Sequence, residues 1–122
     1  MAAFTDLGIA AIRDGVRDGE FSAREVTTAF VEAVAGAKAL NAFLVETPEN
    51  ALDAADKADA DRAAETLKPM SGVPIGMKDL FCTQGVEATA GSLILGGFKP
   101  QDRKSTRLNS SHSTLSRMPS SA

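Results

Sequence analysis

The chain has few of the features expected of a secreted or membrane-bound protein. It has 122 residues and one cysteine, Cys82, which excludes an internal disulfide. The longest apolar run, residues 88–95, is broken by polar residues and is far shorter than the roughly 20 residues of a membrane-spanning helix. The N-terminus has no basic segment followed by an apolar one, so no secretory signal peptide is expected. The sequence therefore predicts a cytoplasmic protein.

Histidine is also scarce, and the chain contains no familiar phosphate-binding frame. The single histidine, His112, lies near the C-terminus, so Cys82 has no histidine in the first hundred residues to activate it as a nucleophile. We interpret Cys82 as a small buried residue. Gly91, Gly96 and Gly97 do not fit GxxxxGK[ST] or GxGxxG, and we interpret them as turn glycines.

A change of composition near residue 101 divides the chain. Residues 1–101 contain nine basic and fifteen acidic residues, a net charge of −6, whereas residues 102–122 contain four basic and one acidic, a net charge of +3. All ten glycines and all six phenylalanines lie in the first part, and seven of the ten serines lie in the second. We predict that residues 1–101 are the N-terminal fragment of a domain and that residues 102–122 are a disordered, non-native tail.

The tail has a resemblance of its own. Residues 102–112 (DRKSTRLNSSH) resemble the in-frame translation of a sequencing adapter. Residues 116–122 (SRMPSSA) resemble its continuation, which leaves residues 113–115 for the variable index. A basic, Ser-rich segment would otherwise suggest a nucleic-acid-binding arm or a linker. Two matching blocks in the right order favour the adapter, so we exclude the tail from the reasoning about function.

Two helices are predicted in the first forty residues. Apolar residues recur at helical spacing in residues 5–18, and Gly19 stands where that helix would end. Ser22 and Glu25 have the spacing of a capping box, which predicts the start of a second helix. That helix should fade near residues 40–41. Its apolar stripe consists of Val26, Phe30, Val34 and Ala37.

A short strand and a third helix follow. Residues 42–46 form an apolar run that predicts a buried strand. Thr47 is a candidate helix cap and Pro48 suits the first helical position, so an Ala-rich helix is predicted to about residue 67. Asp53 and Lys57 have the spacing of an ion pair within a helix. Four aspartates could suggest a metal site, but the interspersed alanines and basic residues favour a solvated helix face. These aspartates are Asp53, Asp56, Asp59 and Asp61.

A turn and a second strand precede the most informative lysine. Gly72 and Pro74 mark the entry to the strand, and the apolar residues at 73, 75 and 77 alternate. Gly76 leaves room for another backbone to approach closely. Lys78 ends the apolar segment. From the pattern alone it is an ordinary strand-end lysine.

Several motifs in residues 72–100 resemble the amidase signature family. They are residues 72–79 (GVPIGMKD), Thr83 and Gly85, residues 89–92 (TAGS) and residues 98–100 (FKP). The resemblance extends to the helix starts, and it covers essentially all of residues 1–100. It implies an α/β fold with helices around a mixed sheet, here truncated to its N-terminal part.

The family resemblance implies a specific role for Lys78. Members of the family use a Ser, cis-Ser, Lys triad, and Lys78 matches the lysine that acts as its base. Lysine is protonated near its ordinary pKa of about 10.4, so burial or polar neighbours must favour the neutral form. The apolar strand around Lys78 could supply that desolvation, whereas Asp79 would favour the charged form.

The two serines of the triad are not expected in this chain. No Gly/Ser-rich segment that could supply a nucleophile and oxyanion donors occurs before residue 101. Ser110 and Ser111 belong to the tail, and Ser92 is interpreted as a helix start or a structural loop residue. The fragment is therefore predicted to be inactive. We also predict that strands near Phe43 and Ile75 lack later strands to pair their edges and favour aggregation.

Three functions are compatible with these residues. The resemblance implies foremost a glutaminase subunit that supplies ammonia to partner subunits, which amidate a glutamyl-tRNA with ATP and magnesium. The second possibility is another amidase, acting on a small or fatty amide with the same role for Lys78. The third is a non-catalytic helical interaction module. The fragment itself is expected to bind no cofactor and no metal.

Overall fold

Three helices and three short strands make up the described part of the chain. The computed structural model describes residues 3–78, 94, 97, 99 and 113–118. The helices are α1 (Ile9–Asp18), α2 (Ala23–Gly36) and α3 (Pro48–Ala63), and 3-10 turns occupy Phe4–Asp6 and Lys38–Leu40. The strands are β1 (Val45–Glu46), β2 (Pro74–Lys78) and β3 (Ser113–Met118). No helix within these described ranges is long and apolar enough to cross a membrane.

The predicted C-terminal end of α1 and the predicted start of α2 are confirmed, whereas α1 begins at Ile9 instead of near residue 5. Gly19 caps α1 with a positive φ of 79°, where its amide donates to carbonyls of the last turn. Glu25 N donates to Ser22 Oγ over 3.0 Å, and Ser22 N donates to Glu25 Oε2 over 2.8 Å. The capping box is therefore complete. Ser22 Oγ also donates to Glu25 Oε2 over 3.0 Å, and the two bonds that this carboxylate accepts from Ser22 lower the pKa of Glu25.

Three details of the second predicted segment differ from the sequence interpretation. The strand is confined to Val45–Glu46, shorter than residues 42–46. Thr47 is the N-cap residue of α3, but its side chain makes no capping hydrogen bond. Lys57 pairs with Asp61 over 3.1 Å instead of with Asp53. Asp53 and Asp61 both stand four residues from Lys57, and the structure uses the C-terminal one of the two.

Charged residues of α3 hold the facing ends of α1 and α2. The Asp59 carboxylate accepts from Ala23 N over 2.8 Å and from Arg24 N over 3.1 Å, at the N-terminus of α2. Arg62 Nη1 donates to the carbonyl of Val16, in the last turn of α1, over 3.3 Å. Each charge meets the helix end of opposite partial charge. The solvated face predicted for these aspartates is therefore wrong for Asp59, because free amides at a helix start attract a carboxylate.

We expect Asp59→Asn to destabilise the chain more than Asp53→Asn. The amide oxygen can replace one acceptor, but the charge is lost, and the cost is about 1–2 kcal/mol on the scale of capping and dipole effects. Asp53 is exposed, so the same chemical change there should shift the free energy of unfolding by less than about 0.5 kcal/mol. Urea unfolding followed by circular dichroism measures both. Equal effects would show that the Asp59 contacts are not stabilising.

The core lies where the three helices meet the turn before β2. Its buried apolar residues are Ile12, Val16, Ala23, Val26, Ala55, Ala58 and Val73. Phe4 and Phe21 pack against this cluster and meet edge to face, with ring centroids 5.1 Å apart. The Phe21 ring lies on Gly15, where a Cβ atom would come within 2.1 Å of it. The small residue at position 15 therefore creates the space for the ring.

The sheet places β3 between the other two strands. β3 pairs with β1 in antiparallel fashion and with β2 in parallel. The described residues of the tail thus differ from the predicted disorder, because their backbone pairs with both neighbouring strands. The prediction that β1 and β2 lack a partner strand is therefore wrong for the edges that face β3. The rest of the predicted tail lies outside the described residues.

Candidate functional site

Lys78 is the one predicted catalytic residue of this chain, and it is the last residue of β2. Its Cα is in register with that of Met118 on β3. The C-terminal ends of these two parallel strands therefore lie at the same edge of the sheet. The assignment of Lys78 as a base stays a prediction.

The residues that lead to Lys78 are well packed. Val73 is 2% exposed and Met77 is 5% exposed, whereas Ile75 is half-buried and Gly76 is exposed. Burial thus confirms the predicted apolar alternation at residues 73 and 77 but not at residue 75. A register shift against β3 occurs between Ile75 and Gly76, which agrees with the predicted use of a glycine at an irregular point of the strand.

A tight turn at Gly72 fixes where β2 begins. Val73 N donates to Met70 O over 3.4 Å, so Met70 and Val73 are the first and last residues of the turn. Gly72 is its third residue and has a φ of 83°, the sign that a type II turn requires there. A glycine meets this requirement without steric cost, because it has no Cβ atom.

Gly72 also lies where all three helices come together. A Cβ atom on Gly72 would stand 2.9 Å from Ala23 Cβ on α2 and 3.1 Å from Val16 Cγ1 on α1. It would stand 3.6 Å from Ala58 Cβ on α3. The turn therefore locks the start of β2, and with it the backbone that leads to Lys78, against the helical layer. The sequence indicated a turn at Gly72 but not this three-way contact.

Most other residues singled out from the sequence lie outside the described residues. These residues are Asp79, Cys82, Gly91, Ser92 and Gly96. Gly97 is described and has a φ of 84° in a turn, as predicted.

Two acidic residues of α3, Asp56 and Asp59, contact α2, whereas Asp61 pairs within α3. Asp56 accepts a hydrogen bond from the Arg24 guanidinium, and this bond raises the pKa of Arg24. Asp59 and Asp61 have the partners given above. Within the described ranges, no group of three or more His, Cys, Asp or Glu side chains is arranged to hold a metal ion.

Two buried hydroxyls were not singled out from the sequence. Thr27 is fully buried and Ser71 is 2% exposed, and neither side-chain oxygen has a hydrogen-bond partner among the described residues. Ser71 directly precedes Gly72, so one of these hydroxyls lies in the turn that leads to β2. Nothing in the local sequence distinguishes them from exposed hydroxyls, because their burial comes from contacts distant in the chain.

Two adjoining cavities lie between the end of α2 and β1. Their volumes are about 340 and 230 Å3, and both are lined by Val34, Lys38 and Glu46. They form an open groove with an apolar wall and a charge of each sign. No described residue of β2 lines them, which separates them from the strand that carries Lys78.

Comparison with known sequences gives one family and a consistent set of relatives. The family model described as Amidase matches residues 25–109, well over half of the chain. The A subunit of glutamyl-tRNA(Gln) amidotransferase from Sphingopyxis alaskensis is 65% identical over 101 residues, which cover 83% of this chain and 20% of the relative. The same subunit from Rhizorhabdus wittichii is 63% identical over 100 residues, 82% of this chain and 20% of the relative. The chain spans about a fifth of the length of these curated relatives.

Comparison with solved structures gives the same fold. The peptide amidase from Stenotrophomonas maltophilia is similar with a TM-score of 0.82 and 25% identity, over 94% of this chain and 25% of that one. A structure named fatty acid amide hydrolase has a TM-score of 0.85 over 95% of this chain and 21% of that one. Its 20% identity makes it evidence for the fold alone.

These matches confirm the α/β architecture predicted from the motifs around Lys78, with the described elements forming part of a larger fold. The boundary predicted near residue 101 stays a prediction, and the family model extends beyond it to residue 109. Motifs, fold and family model agree, and the chain belongs to the amidase signature family.

Proposed function

We propose that this chain is the N-terminal fifth of the glutaminase subunit of a glutamyl-tRNA(Gln) amidotransferase. The observation that carries the proposal is the 63–65% identity to that subunit in two bacteria, over at least 100 residues. Identity to the peptide amidase is 25%, which favours the tRNA-dependent enzyme over a hydrolase of other amides. The family match includes β2 and Lys78 as well as α2 and α3, which argues against a purely helical interaction module.

In the proposed reaction the whole subunit hydrolyses glutamine and releases ammonia. Lys78, held neutral, would accept a proton through the cis-serine, and the second serine would attack the glutamine carboxamide carbon. Both serines would come from the part of the protein beyond this chain. Burial of Val73 and Met77 supports a low-dielectric environment along this strand, the condition that lowers the pKa of a lysine. The fragment alone is expected to be inactive.

The ammonia would then be used elsewhere in the complex. The B and C subunits of the amidotransferase are the proposed protein partners, and Glu-tRNA(Gln) would bind through the partner that forms Gln-tRNA(Gln). ATP and magnesium would act in that partner, as in other ligases of protein biosynthesis. Because charged tRNA and ATP are cytoplasmic, we place the complex in the cytoplasm.

The test uses the full-length gene, in which the native coding sequence continues past residue 101. Its full-length product, co-expressed with the B and C subunits, should form Gln-tRNA(Gln) from Glu-tRNA(Gln) in a reaction that consumes glutamine and ATP. The 122-residue chain, assayed at the same concentration, should release no ammonia from glutamine. A full-length product that hydrolyses small or fatty amides but does not support tRNA amidation would favour the other class of amidase. A gene without a glycine-flanked serine pair after Lys78 would refute both.

A further inference from the structure

The backbone of Lys78 must be held in a fixed place if its amine is to accept a proton. Lys78 ends β2, so the position of its Cα atom depends on how the residues before it are packed. A displacement of about 1 Å at a catalytic group can lower a rate by about 10²-fold. The packing of residues 73–77 therefore bears directly on the proposed catalysis.

Two side chains of this segment are buried, one near each end. They are Val73 and Met77, and the side chain of Ile75 between them is only half-buried. Val73 belongs to the core cluster that the three helices form, whereas Met77 is not a member of this cluster. The segment thus has two separate points of attachment.

Gly76 separates Val73 from the end of the strand. It is exposed, and a glycine has no side chain to pack and the greatest backbone freedom. Val73 lies five residues before Lys78, about 16 Å along an extended chain. Met77 follows the glycine and is adjacent to Lys78, with the two Cα atoms about 3.8 Å apart. Met77 is therefore the buried side chain that fixes the backbone of Lys78 most directly.

We infer that Met77 is a positioning residue for Lys78, because its buried side chain holds the end of β2 in place. This inference rests on the proposed function, since it gives Met77 a part in the same proton transfer. The Met77 side chain is not proposed to touch glutamine or either serine. Its truncation should therefore lower kcat and leave KM nearly unchanged.

The experiment uses the full-length protein with its B and C subunits, and four variants of it. Met77→Ala removes most of the buried side chain, and Met77→Val is a milder truncation that carries the test if Met77→Ala does not fold. Met77→Leu conserves the volume of the side chain. Val73→Ala is the matched control, because it trims a similarly buried side chain that is remote from Lys78. The values of kcat and KM for glutamine hydrolysis are measured together with each melting temperature.

Met77→Ala should lower kcat by about 10- to 100-fold and keep KM within about twofold of the parent. Met77→Leu should restore kcat to within about threefold, because volume-conserving exchanges are tolerated. Val73→Ala should also keep kcat within about threefold, even if its melting temperature falls as far as that of Met77→Ala. A folded Met77→Ala or Met77→Val protein with the parental kcat would overturn the inference. So would equal losses of kcat in Val73→Ala and Met77→Ala.

Failure of the proposed function gives a different result. A parent that hydrolyses other amides but not glutamine would overturn the proposed function alone. The same variants are then compared by their kcat for that amide, because Lys78 is expected to have the same role in that class of amidase. A parent that hydrolyses no amide would overturn both the proposed function and the role of Met77.

Discussion

Lys78→Ala should reduce glutamine hydrolysis by on the order of 10³-fold or more in a working enzyme, as expected for loss of a catalytic base in a Ser-based triad. A suitable enzyme is a chimaera in which residues 1–101 of this chain replace the matching part of the Sphingopyxis alaskensis protein. The high identity over this segment makes such an exchange conservative. The loss should fall on kcat, because the lysine moves a proton and is not proposed to bind glutamine.

A matched control separates chemistry from folding. Lys57 has an exposed side chain and an ion pair with Asp61, and exposed pairs contribute little to stability. Lys57→Ala in the same chimaera should leave kcat unchanged within about twofold. Both variants should have melting temperatures close to that of the parent. A Lys78→Ala chimaera that keeps a tenth or more of the parental kcat would refute the role of Lys78 as the base.

Gly72→Ala should destabilise the chain strongly, because it combines a backbone cost with an overlap in the core. The residue has a φ of 83°, and a non-glycine residue in this region costs about 1–2 kcal/mol. The new Cβ would also overlap Ala23 Cβ at 2.9 Å and crowd Val16 at 3.1 Å, and overpacking costs about 1–3 kcal/mol. Together we expect a loss of about 2–5 kcal/mol, a large part of the stability of a small domain.

Two other glycines separate these contributions. Gly19 has a φ of 79°, but a Cβ there would meet only Arg62 Nη1, at 3.5 Å, so Gly19→Ala should show mainly the backbone cost. Gly36 has neither a positive φ nor an atom within 4 Å, so Gly36→Ala should be neutral or stabilising by up to about 1 kcal/mol. Urea unfolding of the three variants should rank Gly72 far above Gly19, with Gly36 last. Equal losses at Gly72 and Gly19 would show that the helices move apart to accept the methyl group.

The helices were the part of the fold most accessible from the sequence. Gly19 and the Ser22 and Glu25 pair act within a few residues of their own helix ends, so their local pattern was sufficient. The ion pair of Lys57 was assigned to the wrong neighbour, because an aspartate stands four residues away on both sides of Lys57 and spacing alone does not choose between them. The capping of α2 by Asp59 was missed because it joins two helices that are distant in the chain.

The location of the candidate site could be predicted from the sequence, but the packing contacts that hold its strand in place could not. The motif around Lys78 indicated a strand that ends at the lysine, and β2 has that end. The contacts of Gly72 with three helices join residues that are distant in the chain, and no local pattern encodes them. The central position of β3 was not predicted, because its segment lies in the region interpreted as a disordered tail and its pairing joins parts distant in the chain.

The two charges of α3 that hold the neighbouring helices also specify its alignment. Asp59 and Arg62 stand about one helical turn apart and meet helix ends of opposite polarity. Sliding α3 by one turn would bring a guanidinium toward free amides or a carboxylate toward free carbonyls, and both encounters are repulsive. The alanine face of α3 is too uniform to resist such a slip by shape. The position of α3 along its neighbours is thus fixed by charge instead of by the shape of its side chains. Reversing the charges at both positions should favour a shifted or molten packing over the native one.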